Sequence, residues 1–240
     1  MGTRMKTIAV AAAVSMLLFG GCGSKDGSGS QSSGSTVSPA KLSSALLTIS
    51  DMPTGWTEGT GETTTSTESS SDGGSNSFND VLCPESAAAL PDSFTDLGEA
   101  DSSATSSAWV EFSKSSMGPF LMQGAVSGSG SADKRFDTIK SALEGCKGKT
   151  WDDTDKEGVK TTYSLAPVSA PKLGDRSFAY RITGDASMGE LTFDLIMGQK
   201  GDVLITLISV SLISPFGRES ISADEMKQIV DTANRKLAEL

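Results

Sequence analysis

The chain has 240 residues, enough for one domain with a substantial core, and sets 30 acidic residues against 20 basic ones for a formal charge of −10. That sign argues against nucleic acid or an anionic lipid surface as the partner, since either would need the opposite balance. There is no histidine, which removes Ser-His-Asp and Cys-His catalysis, most catalytic zinc sites and imidazole switching near neutral pH; no catalytic residue, cofactor or metal site is expected.

In chain order, Arg4 and Lys6 precede an apolar run from Ile8 to Phe19 that ends in Leu17-Leu18-Phe19-Gly20-Gly21-Cys22. A basic start, a short apolar stretch and small residues form the layout of a secretory leader. The run is about 12 residues, too short for a bilayer that needs about 20. Its end resembles the bacterial lipobox, with Phe19 where leucine is usual. The resemblance implies a diacylglyceryl group on the Cys22 thiol and removal of residues 1–21; the other reading is an ordinary signal peptide with an uninvolved cysteine. Two acyl chains, or three if the new amine is also acylated, hold a protein on a membrane where one would be marginal. The expected location is therefore the extracytoplasmic face of a cell membrane, with the membrane itself a partner through Cys22. Loss of the leader removes two basic residues and no acidic one, leaving 18 against 30 and a charge of −12.

Residues 22–37 are nearly all Gly and Ser and read as a flexible tether. One extracytoplasmic domain is expected over 38–240. It opens at Ser38-Pro39, an N-cap followed by proline at the first helical position, with Leu42, Ala45, Leu46 and Ile49 as one helical stripe. Asp51 and Pro53 then stop the helix, Gly55 permits positive φ, and Trp56 either folds back on the helix or lines a ligand cleft. The polar stretch near 57–80 reads as a mobile loop, and Cys83 to Ala89 as a short helix ended before Pro91.

Beyond this loop, alternation marks strands at Ala108-Val110-Phe112, Phe120-Met122-Val126, Val159 to Leu165, Phe178-Tyr180-Ile182 and Leu191 to Met197. Gly198 to Asp202 supplies a turn. Val203 to Ile213 is apolar at both parities, as a central strand covered on both faces would be. Between the strands, Ser131 caps a helix whose Phe136, Ile139, Leu143 and Cys146 share one face. Ser222 to Glu225 is a capping box leading into Met226, Ile229, Val230, Ala233, Leu237 and Leu240. With Cys22 assigned to lipid, Cys83 and Cys146 form an even remainder in an exported chain and read as one disulfide, the alternative being two free thiols. Strands joined by short turns with helices packed against them give an α+β domain with a mostly antiparallel sheet of five to seven strands.

The segment Leu46-Leu47-Thr48-Ile49-Ser50-Asp51-Met52-Pro53-Thr54-Gly55-Trp56 resembles the opening of the PknH-like extracellular domain family. These sensor-like domains are attached to actinobacterial serine/threonine kinases and also occur as free lipoproteins. The resemblance extends in element order over residues 42–240. It implies an α+β domain with a concave surface that receives a ligand. The kinase sensors use two disulfides, where this chain can make one outside its lipobox.

Other motifs favour bland explanations. Ser131 to Lys134 and Ser169 to Lys172 fit the Ser-x-x-Lys pattern of penicillin-binding proteins, but the companion motifs are missing and Ser131 reads as a helix cap. Gly59-Thr60-Gly61 and Gly124 to Gly130 lack the Lys-Ser or Lys-Thr ending of a phosphate-cradling loop. Asp152, Asp153 and Asp155 form a solvated acidic turn rather than a calcium loop. Glu190 and Asp194 would make a hydrolytic pair only with suitable strand geometry. The sequence thus points to a non-catalytic ligand-binding or sensor-like module whose ligand is a small molecule, a lipid or an envelope protein. The alternative is a carrier of lipid or another hydrophobic ligand.

Overall fold

The computed structural model describes residues 37–59, 82–84, 106–128, 132–154, 158–186, 189–214 and 217–240. Cys22, Ser131, Asp155, most of the 57–80 stretch and the expected helix beyond Pro84 lie outside them.

Nine strands build one sheet: β1 (Thr57–Glu58), β2 (Ser106–Ser113), β3 (Phe120–Ser127), β4 (Thr150–Thr154), β5 (Lys160–Pro167), β6 (Arg176–Ala186), β7 (Gly189–Lys200), β8 (Val203–Ser214) and β9 (Gly217–Glu219). The spatial order is β1-β2-β3-β8-β7-β6-β5-β4, with β9 added to the end of β8, and these strands pair antiparallel throughout. The class is the expected α+β, but the strand count exceeds five to seven. Two of the extra strands are only two and three residues long, β1 falling within the expected loop. The third, β4, reads Thr-Trp-Asp-Asp-Thr and carries no apolar alternation. Asp152 and Asp153 therefore sit on an outer strand instead of a turn, where exposed charge discourages pairing with another chain.

Helices α1 (Pro39–Ser44) and α3 (Ala223–Leu237) cover one face of the sheet, and α2 (Ala132–Cys146) covers the other. Between them β8 serves both layers, as its sequence demands. Val203, Ile205 and Leu207 join Leu42, Ile229 and Val230 in the first core, while Leu204 and Ile208 join Phe136, Leu143 and Leu195 in the second.

The opening helix is shorter than its stripe suggests. It ends at Ser44, and Ile49, expected on the buried face, is 41% exposed. Leu46 and Leu47 instead leave the helix and turn into the core, because the Leu47 amide donates to the buried Gln123 Oε1 at 2.7 Å. Thr48 then begins a single 3₁₀ turn, Ile49–Asp51, whose Asp51 side chain accepts from the Thr48 amide at 2.9 Å.

α2 presents Phe136, Ile139, Leu143 and Cys146 inward, and Cys146 is disulfide-bonded to Cys83, 63 positions away. Its N-terminal end is fastened by Arg176, which pairs with Asp133 and Asp137 and lies 4.5 Å from the Phe136 ring centroid. α3 starts with the Ser222 hydroxyl accepting from the Glu225 amide at 3.2 Å, and places Asp224 and Glu225 in its first turn and Arg235 and Lys236 in its last, matching its dipole. Near its C-terminal end, Asn234 accepts from the Gly174 amide and donates to the Lys172 carbonyl, both at 2.8 Å. That clamp presses Leu173 onto β7 at Gly198, where a Cβ would lie 2.4 Å from the Leu173 carbonyl oxygen.

Candidate functional site

The first sheet face changes character abruptly beyond the cover of α3. Residues paired across antiparallel strands share a face, so the register lays the side chains out in rows. Ala179 and Ile196 pair opposite one another and pack into the α3 core. One pleat period further along, polar residues take over on β6 to β8. The next row is Ala166, Arg181, Asp194 and Ser209, and beyond Ser209 it runs into Leu121 and Phe112 of the same core. After it come Thr150, Ser164, Thr183, Thr192 and Ser211, five hydroxyls on five successive strands. A third row holds Asp152, Thr162, Asp185 and Glu190 before Ile213 closes it. Rows repeat every two residues, about 7 Å, and neighbouring strands lie about 4.8 Å apart, so the hydroxyl row spans about 19 Å.

The strands set both the chemistry and the exposure of this lattice. Thr162, Arg181 and Asp185 are exposed, Ser164 and Thr183 are half-buried, and Thr192, Ser209 and Ser211 are only 8%, 3% and 7% exposed. The platform thus runs from an open edge on β4–β6 to a buried end on β7–β8. Arg181 grips Asp194 with both faces of its fork, Nε to Oδ1 at 2.6 Å and Nη2 to Oδ2 at 2.8 Å. That carboxylate raises the already high pKa of the guanidinium. At the open edge, Thr162 donates to Asp152 Oδ1 at 2.7 Å and Lys160 pairs with Asp152 Oδ2 at 2.8 Å; these partners hold the carboxyl below its ordinary range. Thr192 reaches Glu190 at 3.4 Å. A hydroxyl both donates and accepts, so this row can answer either kind of hydrogen-bonding group.

Glu190 and Asp194 do share this face, but four residues of strand place them about 13 Å apart. Thr192 stands between them and Arg181 occupies Asp194, so they form no hydrolytic pair. Among the described residues no group of three acidic or cysteine side chains is placed to hold a metal ion.

Trp56 lies elsewhere. It is 6% exposed within the α1–α3 core, and its indole N–H donates to Glu225 Oε1 at 2.7 Å. Lys114 pairs with the same carboxylate at 2.7 Å and stands 5.4 Å from the Trp56 ring centroid. Burial alone would raise the Glu225 pKa, but Lys114, the indole and the Ser222 backbone together hold it below the usual carboxylate range. The preceding turn is tied to the other end of α3, with Lys236 Nζ 2.9 Å from Asp51 Oδ2. Here too burial works upward and is outweighed, by Lys236 and the Thr48 donors. The Leu46–Trp56 segment is thus fastened at both ends of the last helix, and Gly55 takes the positive φ of 97° that its turn requires.

No family model matches the sequence, and neither does any curated protein. Among solved structures, the extracellular domain of PknH from Mycobacterium tuberculosis matches with a TM-score of 0.56 and 17% identity, over 86% of this chain and all 100% of that one. The likeness is one of fold, and it agrees with the element order that the Leu46–Trp56 motif implied.

Sequence reasoning did not single out the lattice, although part of its signal was present. Arg181-Thr183-Asp185 and Glu190-Thr192-Asp194 are the polar parities of two strands, but alternation alone marks them only as outward-facing. It takes the register to align them with Ser164, Ser209 and Ser211.

Proposed function

We propose that the chain is a lipid-anchored, non-catalytic binding or sensor-like module on the extracytoplasmic face of a cell membrane. In this reading Cys22 carries the diacylglyceryl group, residues 22–37 are the tether, and the open lattice is the surface offered to a ligand. The observation that carries it is the fold shared with a kinase extracellular domain, on a chain whose N-terminal segment has the leader layout ending in Cys22. The lack of any histidine supports the non-catalytic part of the reading. No helix among the described residues is long and apolar enough to cross a membrane, so an anchor on Cys22 would supply the attachment.

The test is fractionation of cells expressing the full chain, with mass spectrometry of the product. The wild-type chain should partition with membranes, lack residues 1–21 and carry the diacylglyceryl mass on Cys22, and Cys22→Ala should lose both the lipid and the membrane association. Equal membrane association in the variant would refute the anchor. The carrier reading draws on a different feature: Met122, Phe193 and Val210 are only partly buried beside the α2 core. A lipid mass in native spectra that disappears on denaturation would favour it.

A further inference from the structure

We propose that the hydroxyl row Thr150-Ser164-Thr183-Thr192-Ser211 is a platform for an extended, non-anionic saccharide; this rests on the binding-module reading above and names its ligand class. The first argument is periodicity. One hydroxyl per strand at a spacing of about 4.8 Å comes close to the length of one pyranose unit in an extended glycan, so successive sugars meet successive strands. The second is chemical match. Each of the five side chains both donates and accepts, as every hydroxyl of a sugar does, while Asp185 and Glu190 in the next row accept.

The third argument concerns the direction of approach. Ser209 and Ser211 are more than nine-tenths buried, Ser209 beside the core residue Leu121, and neither hydroxyl is among the buried polar atoms left without a partner, which among the described residues are Gln123 Nε2 and Trp151 Nε1. A ligand therefore meets the row from its open side, at the exposed Thr150 and the half-buried Ser164 and Thr183. Finally, charge selects within the class. Four carboxylates, Asp152, Asp185, Glu190 and Asp194, stand on the lattice against Arg181 and Lys160, and both cations are already paired. An acidic glycan would be repelled; a neutral or amine-bearing one would not.

The test is isothermal titration calorimetry of the full chain in a zwitterionic, sugar-free detergent. The probes are cellotetraose, chitotetraose, its deacetylated tetramer and tetragalacturonate. At least one of the first three should bind, and tetragalacturonate should not. Thr183→Val with Thr192→Val keeps shape and strand preference while deleting two hydroxyls, and should weaken binding about thirtyfold. Ser164→Ala, at a half-buried position away from both helix-packed cores, should weaken it severalfold. Binding of none of the three non-anionic probes, preference for tetragalacturonate, or full affinity in both variants would overturn the proposal. Loss of sugar binding with membrane attachment at Cys22 intact would remove this inference alone, whereas binding by a chain that is never lipidated would remove the anchor and leave the platform.

Discussion

Trp56 and Glu225 are 169 positions apart in sequence and joined by a 2.7 Å hydrogen bond, from the indole N–H to a carboxylate that Lys114 also engages. The relationship ties the turn after the opening helix to the first turn of the last one. Glu225→Ala would leave a buried donor unmet and Lys114 without its partner. We expect a loss of about 1–3 kcal/mol, or a fall in melting temperature of about 2–10 °C by thermal circular dichroism. Glu225→Gln keeps an acceptor for the indole and should lose less; equal losses in the two variants would show that the indole bond contributes nothing.

The same carboxyl makes stability depend on pH. Glu225 and Asp51 titrate in the folded chain below their ordinary values of 4.5 and 3.8, so near and below those values the unfolded chain binds more protons. Their contribution is complete above the ordinary values and is lost as pH falls through the folded ones. Melting temperatures of the wild type should therefore drop more between about pH 6 and about pH 3 than those of Glu225→Gln, which lacks one of the two titrating groups. Parallel curves would contradict the assignment.

Gly198 is a packing prediction. Its missing Cβ is the space into which Leu173 fits, with the Leu173 carbonyl oxygen 2.4 Å from where that carbon would be. Gly198→Ala should push the 172–174 strap off the sheet and strain the Asn234 clamp, costing about 1–3 kcal/mol in urea unfolding. A variant as stable as the wild type would mean that the strap yields freely.

The Cys83–Cys146 bridge closes a loop of sequence separation 63 and ties α2 to the segment that holds Leu82. Replacing both cysteines by alanine should lower stability by about 2–4 kcal/mol, and reductant should lower the urea midpoint of the wild type but not of the variant. A reductant effect of equal size on both would point away from the bridge.

Much of the fold could be read from residue order because its signals are local. The 3.6-residue stripes of α2 and α3 and the double parity of β8 state their burial directly, and Cys83 and Cys146 pair as their even number suggested. What failed was information that alternation does not carry. Ile49 continues the stripe of α1, yet a hydrogen bond from Leu47 to Gln123, 76 positions away, turns the chain before it. β1, β4 and β9 exist because a neighbouring strand offers them an edge, not because of any apolar pattern of their own. The lattice was hidden for a related reason: whether Thr183 lies beside Thr192 and Ser164 depends on register, and register is a property of pairs of strands.

The boundary on β7 between Ile196 and Asp194 has a consequence for how such a molecule can change over time. On one side the α3 core constrains volume and polarity. On the other, Thr162, Arg181, Thr183 and Asp185 answer to neither helix-packed core, while the strand pairing beneath them is maintained by backbone groups common to all residues. The outer rows can therefore change by single substitutions while the scaffold stays as it is, and under the proposed binding role such changes would alter which ligand is taken. Two descendants of one such domain could keep the same architecture and acquire unrelated tastes.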